Sequence, residues 1–423
     1  MMHSTTVLFL AAAASAVVDA TYTLYKIPVP NGFNARSLDG SPAAFYFEEG
    51  SGADSNNWVI YFQGGGWCYD VADCYERSKG SLGSSNNLAP TSGSMGGLVS
   101  SDCTVSPLCN YNKVWLAYTD GNSFSGLLTD PVSYVSPNGT TVDLWFRGRA
   151  NLDAVLDAVS HNVMGSTNVW ANAHHVVETG CSAGGLATYL HANYLYDTLN
   201  GQYTGQFLSL PISGYFLDAV SKDGVKQYGS QIQVIHALSN ASTDASCEAA
   251  YPAAEQWKCN MAEYVFPFIR PPIFVLNSFY DSWQTGCIMT SEPVVNGSFA
   301  NGNCSAVPGW QACAKNPASC TPDQIASGYV AFGNEMVTSL SQTNAAKYAA
   351  PGSGGFLTSC HTHCEAQSSS CFTNFAIGGK TMMKAASAWI QSNQASGGKS
   401  APQWLTDCSY STTAPYQCNP TCA

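Results

Sequence analysis

The sequence predicts an α/β fold, a mainly parallel sheet with helices on both faces and disulfide-tied loop insertions, and three observations predict it. Short apolar segments alternate with helix-patterned stretches through the first three quarters of the chain, the order expected of a parallel sheet covered by helices. The pentapeptide Gly180-Cys181-Ser182-Ala183-Gly184 falls between one such strand and one such helix. Of seventeen cysteines, the pair Cys68 and Cys74 and the clusters from Cys304 to Cys320, from Cys360 to Cys371 and from Cys408 to Cys422 read as staples on loops, the habit of chains that fold in oxidising compartments.

Taken in order, Val7 to Val18 is an apolar run too short to cross a bilayer but suited to a signal-peptide core, with Val18 and Ala20 as the small residues before a cleavage site. Residues 1–20 are therefore read as a signal peptide and 21–423 as a single domain. Trp58 to Phe62 and Val114 to Tyr118 read as buried strands. Between them, Gln63 to Asn112 lacks clear periodicity and is rich in Gly, Ser, Asn and Cys, so it is expected to be a disulfide-tied excursion beside the site. Leu152, Val155, Leu156 and Val159 share one helical face, and a strand then runs into Val176 and Val177. Helical patterning follows over Leu186 to Leu199, and Phe207 to Leu217 reads as extended. Ile273 to Leu276, just after two prolines, reads as a strand, and Met382, Ala386, Trp389 and Ile390 mark a late helix. Cys287 to Cys320 is the expected insertion or lid.

The composition excludes several classes of function. The chain is 45% hydrophobic, enough for a large core, and only 10% charged with a net charge of −12, which argues against nucleic acid and anionic membranes as partners. No run after the first reaches the roughly 18 apolar residues of a membrane anchor. Sequons at Asn138, Asn240, Asn296 and Asn303 fit a secretory route. No Cys-x2-Cys pairs with a second such motif or with a His pair at zinc-finger spacing, so no metal site is expected. An odd cysteine must be left over, and Cys181, on a buried turn, is the candidate for it.

Gly-x-Ser-x-Gly between a strand and a helix is the setting of a nucleophilic serine. A sharp turn exposes the hydroxyl, small flanking residues relieve crowding, and the helix N-terminus favours developing negative charge. In this α/β-hydrolase-like arrangement the acid and then the base follow the serine in the chain. His191 falls in the helix after the nucleophile and His236 in a strand-like stretch, which leaves His361 and His363, in a Cys-bounded loop before the last helix. Spacing does not separate those two. Asp281, just past the strand Ile273 to Leu276, is the candidate acid, with Asp218 and Asp244 as rivals. Gly64-Gly65-Gly66-Trp67, directly after a strand, is placed to supply oxyanion donors alongside the Ala183 N–H.

With these residues in view, the sequence resembles the pectin acetylesterase and Notum family of secreted carboxylesterases, closer to its plant-like branch. The blocks that carry the resemblance are YFQGGGWC from Tyr61, YTDGNSFSG from Tyr118, LWFRG from Leu144, GCSAGGL from Gly180, NSFYDSWQ from Asn277 and SCHTHC from Ser359, in that order across most of the chain. The resemblance implies Ser182 as nucleophile, Asp281 as acid, His363 as base, and the backbone N–H groups of Gly66, Trp67 and Ala183 as oxyanion donors. It implies no metal or organic cofactor, and an O-acetyl ester on a cell-wall polysaccharide as substrate. Two rivals stand beside it: a Notum-like deacylase acting on a longer acyl ester of a protein or lipid, and a catalytically silent carbohydrate-binding protein. Gln63 in place of a glutamate, and Pro211-Ile212-Ser213 before Gly214, depart from the family pattern near the pocket.

Overall fold

The computed structural model describes residues 22–163, 169–199, 205–291, 294–295, 298–299, 304–407 and 418–422. The segment read as a signal peptide and the sequons Asn296 and Asn303 lie outside the described residues, while Asn138 and Asn240 are exposed.

Ten strands form one sheet: β1 (Tyr22–Lys26), β2 (Ala44–Glu48), β3 (Trp58–Phe62), β4 (Thr91–Ser92), β5 (Asn112–Leu116), β6 (His175–Cys181), β7 (Gln206–Ile212), β8 (Ile273–Ser278), β9 (Ser353–Thr358) and β10 (Gln403–Thr406). They run side by side in the order β10-β9-β8-β7-β6-β3-β5-β2-β1-β4. From β10 to β5 every neighbouring pair is parallel, and the pairs beyond β5 are antiparallel. Every residue of β3, β8 and β9 is buried, because both faces of the central sheet are covered.

Successive side chains on these strands enter two different cores. Ile60 and Phe62 of β3 face one core with Leu152 and Val155 of helix α2 (Gly148–Ala158), Leu186 of α3 (Ala183–Leu199) and Ile232 of α4 (Gln227–Ser239). Val59 and Tyr61 face the other, with Met382, Ala386 and Trp389 of α6 (Met382–Ser396). The mainly parallel sheet with helices on both faces is thus as the alternating pattern predicts. Among the described residues no helix is long and apolar enough to cross a membrane.

Three readings of the sequence need correction. The extended segment after Phe207 ends at Ile212, because Ser213 turns into the left-handed region with φ 45°. His236 lies on α4, not in a strand. Cys181 is not the unpaired cysteine: it is bonded to Cys364, and among the described residues Cys371 is the free one. The other described bridges join Cys68 to Cys74, Cys103 to Cys109, Cys247 to Cys259, Cys287 to Cys304, Cys313 to Cys320 and Cys360 to Cys422. Gln63 to Asn112 holds two of these staples but also a regular helix, α1 (Val71–Ser78), started by the Asp70 carboxylate, which accepts from the Asp73 N–H.

Candidate active site

Ser182 is the single residue between the last residue of β6 and the first of α3, and it sits at φ 62°. A non-glycine residue there costs on the order of 1–2 kcal/mol, so the surroundings must hold it. They do so by close approach. A Cβ on Gly184 would lie 2.0 Å from the Phe62 carbonyl oxygen, so α3 can meet β3 only through glycine. The Ser182 N–H donates to the Ile212 carbonyl at 3.0 Å, and the Ser182 carbonyl accepts from Leu186 as α3 begins.

The loop after β8 brings Asp281 to the same sheet edge. Its Oδ1 accepts the N–H groups of Trp283 and Gln284, both at 3.0 Å, and so starts the short helix α5 (Ser282–Cys287). Its Oδ2 lies 2.7 Å from Nδ1 of His363. The loop after β9 carries that histidine and is fixed at several points. The Ser282 N–H donates to Thr362 O, and the Cys364 N–H donates to the Ser213 hydroxyl, which itself donates to a buried oxygen of Glu365 at 3.0 Å. The Cys181–Cys364 bridge then joins the residue before Ser182 to the residue after His363.

Ser182 and His363 line one cavity of about 450 Å³ together with Gly64, Gly65, Gly66, Trp67 and Trp283. Among the described residues Nε2 of His363 has no hydrogen-bond partner. His361, the other candidate base, turns elsewhere: its Nε2 is 3.2 Å from the Thr285 hydroxyl and its ring packs on Tyr329. His191 is buried with Nε2 3.0 Å from Ser123 O, and burial pulls it down to about 3. Of the rival acids, Asp218 accepts from Lys226 and from the Tyr264 hydroxyl, and Asp244 caps a short helix.

Burial works against a charged His363. The Asp281 charge, the hydrogen bond to it and the nearby Glu365 charge outweigh that and raise its pKa above the ordinary 6.5. Glu365 is buried, and burial pushes it up to about 7.

The glycine run is held from behind. Arg77 donates to the carbonyl oxygens of Gly65 and Gly66, at 3.0 and 3.5 Å. In a trans peptide the N–H points opposite the carbonyl that precedes it, so Arg77 directs the N–H groups of Gly66 and Trp67 away from itself. The Trp67 indole N–H donates to the Ser123 hydroxyl at 2.8 Å, and that hydroxyl donates to Ala183 O, also at 2.8 Å. One serine of the YTDGNSFSG block thereby ties the glycine run to the start of α3. Ser123, Ser213, Glu365 and Arg77 carry no motif of their own; Ser123 falls in a family block and Ser213 in a stretch that departs from the family pattern, while nothing local pointed to Glu365 or Arg77.

The donor atoms of Cys181, His363 and Cys364 lie within 4.8 Å of one another. Two of the three are spent in a disulfide, which leaves one imidazole, too few donors for a metal ion.

A family model described as "Pectinacetylesterase" matches residues 16–423. The chain belongs to this family. Pectin acetylesterase 7 of Arabidopsis thaliana is 31% identical over 91% of this chain and 88% of its own length. The palmitoleoyl-protein carboxylesterase NOTUM of Mus musculus is 26% identical over 62% of this chain and 52% of its own. A crystal structure of the Wnt deacylase Notum from Drosophila superposes with a TM-score of 0.70 at 20% identity, covering 95% of this chain and all of that one, a likeness of fold. As a member of the pectinacetylesterase family the chain is a carboxylic-ester hydrolase.

Proposed function

We propose that this family member is a secreted serine carboxylesterase that removes O-acetyl groups from pectin, with Ser182 as nucleophile, His363 as base and Asp281 as its orienting acid. The observation that carries the reading is the pairing of His363 with Asp281 through Nδ1, while the unpartnered Nε2 belongs to a side chain lining the same cavity as Ser182. That pairing favours the tautomer in which Nε2 is the basic nitrogen.

In the reaction, Nε2 takes the Ser182 proton as the hydroxyl oxygen attacks the acetyl carbonyl. The resulting oxyanion is met by the N–H groups of Gly66, Trp67 and Ala183, and loss of one such donor costs about 3 kcal/mol of barrier. Collapse returns the proton from His363 to the departing sugar oxygen and leaves acetyl-Ser182. Water, deprotonated by His363, then releases acetate. The orientation imposed by Arg77 and the helix start at Ala183 support this donor set.

An extracellular site of action, at the cell wall, accords with the disulfides and the acetylated polysaccharide. Trp67 and Trp283, which line the cavity with the buried Phe216 and Tyr228 packed behind them at ring-centroid distances of 5.1 to 6.1 Å, favour a second reading in which a longer acyl chain is removed.

The test compares the purified protein with Ser182→Ala on p-nitrophenyl acetate, p-nitrophenyl octanoate and acetylated pectin. Release of acetate from pectin that disappears in the variant, with octanoate a poor substrate, is the expected result. A strong preference for octanoate moves the assignment to the longer-acyl reading, and activity that survives the substitution removes Ser182 as nucleophile.

A further inference from the structure

A second cavity, about 460 Å³, opens beside the first and shares three lining residues with it: Trp115, Cys364 and Gln367. Its remaining lining is Ser92 to Gly96 on one side and Ser368 on the other. We propose that this groove is a saccharide subsite for the polymer chain next to the acetylated residue, with the Trp115 ring as its platform. The proposal rests on the deacetylase reading above and extends it from the reacting ester to the chain that carries it.

Three features support a built groove over a chance hollow. Its two walls are joined at the base: the Gly97 N–H donates to the Ser369 hydroxyl at 3.1 Å, and a Cβ on Gly96 would stand 2.7 Å from the Gln367 carbonyl. Its floor is equally fixed, because the Gln367 side-chain amide donates to the Tyr61 hydroxyl at 2.7 Å, and Trp115 is wedged by the rings of Tyr22, Tyr46 and Tyr61 at 5.7, 5.1 and 6.1 Å. The cost of ordering these groups has been met before any ligand arrives.

The chemistry of the lining selects the occupant. It offers hydroxyl and amide groups and an indole ring, and among the described residues neither cavity is lined by a lysine, an arginine or a carboxylate. A flat aromatic ring flanked by neutral hydrogen-bonding groups suits the apolar face and hydroxyl rim of a pyranose. It offers no cation to pair with a phosphate, a lipid headgroup or the free carboxylate of a uronate, so the pectin residue it takes is one whose carboxyl is methyl-esterified. Because the groove meets the ester site at Trp115, a chain with its acetyl group beside Ser182 has its neighbouring residue in the groove. Binding energy collected there is available to position the ester, so polymer and small ester should respond differently to its loss.

The test fills the groove from its outer wall. Gly93 is exposed, and a Cβ on it meets nothing within 4 Å, so Gly93→Trp starts its side chain without a backbone clash; Ser94→Trp, also at an exposed position, provides a second obstruction. Acetate release from acetylated pectin and hydrolysis of p-nitrophenyl acetate are measured for the wild type, for both variants and for Gly93→Ala. The ratio of the two kcat/KM values is expected to fall about tenfold or more for the tryptophan variants and to stay at the wild-type value for Gly93→Ala. An unchanged ratio in both tryptophan variants overturns the subsite. Failure of the wild type to release acetate from pectin would instead overturn the deacetylase reading, so the two failures are distinguishable.

Discussion

At the scale of single residues, the environment of His363 makes a signed prediction. As the base it must be neutral to act, and its raised pKa places the acid limb of kcat/KM for p-nitrophenyl acetate above pH 6.5, with activity climbing as pH rises through it. Glu365 contributes to that raised pKa by its charge and itself titrates near 7, so the two groups are coupled. Glu365→Gln keeps an oxygen for the Ser213 hydroxyl but removes the charge. The limb is therefore expected to move to lower pH, and a pH profile with the limb unmoved would show that the carboxylate has no electrostatic hold on the histidine. Asp281 is the stronger case, because its two oxygens hold both the imidazole and the start of α5. Asp281→Asn should lower kcat by roughly 10³ to 10⁴ while leaving KM for the small ester little changed.

At the scale of elements, the junction of β6 and α3 decides whether the nucleophile is presented. Gly184→Ala places a methyl group 2.0 Å from Phe62 O, so α3 must back away from β3. A cost of about 1–3 kcal/mol is expected in thermal or denaturant unfolding, with a loss of esterase activity larger than the fraction unfolded explains. This junction was legible in the sequence because its signals are local: an apolar strand, a small-residue turn, then a helix-patterned run. The same holds for Trp58–Phe62, whose predicted bounds match the strand. The loop after β9 was legible only as a place for a base, and spacing left His361 and His363 equivalent. What separates them is Asp281, 82 residues away, and the Ser213 anchor, 150 residues from His363, contacts that no local pattern records. His236 was misread for the opposite reason. Its β-branched and apolar neighbours resemble a strand, while its true setting on α4 follows from packing against the first core.

At the scale of the whole molecule, the described disulfides differ in what they join, and Cys181–Cys364 is not a staple on a loop. Cys68–Cys74 and Cys103–Cys109 each span six residues and stiffen a turn. Cys181–Cys364 spans 183 residues and crosses the sheet edge, so it joins the loop after β9 to the elbow after β6. Sequence could not supply that pairing, since residues so far apart meet only once β6, β7, β8 and β9 lie side by side. Chain-entropy reasoning gives about 5 kcal/mol for a loop of this length against about 2 kcal/mol for a six-residue one. The long bridge also lies directly beside Ser182 and His363, so its removal affects two properties together. A Cys181→Ser, Cys364→Ser double variant should unfold at distinctly lower denaturant than a Cys103→Ser, Cys109→Ser variant, and it should also lose kcat on p-nitrophenyl acetate under conditions where it is fully folded. If the long bridge only restrained the unfolded chain, the folded double variant would keep the wild-type kcat. A drop in kcat that the Cys103–Cys109 variant does not share would identify the bridge as the clamp that holds the elbow and the histidine loop in register.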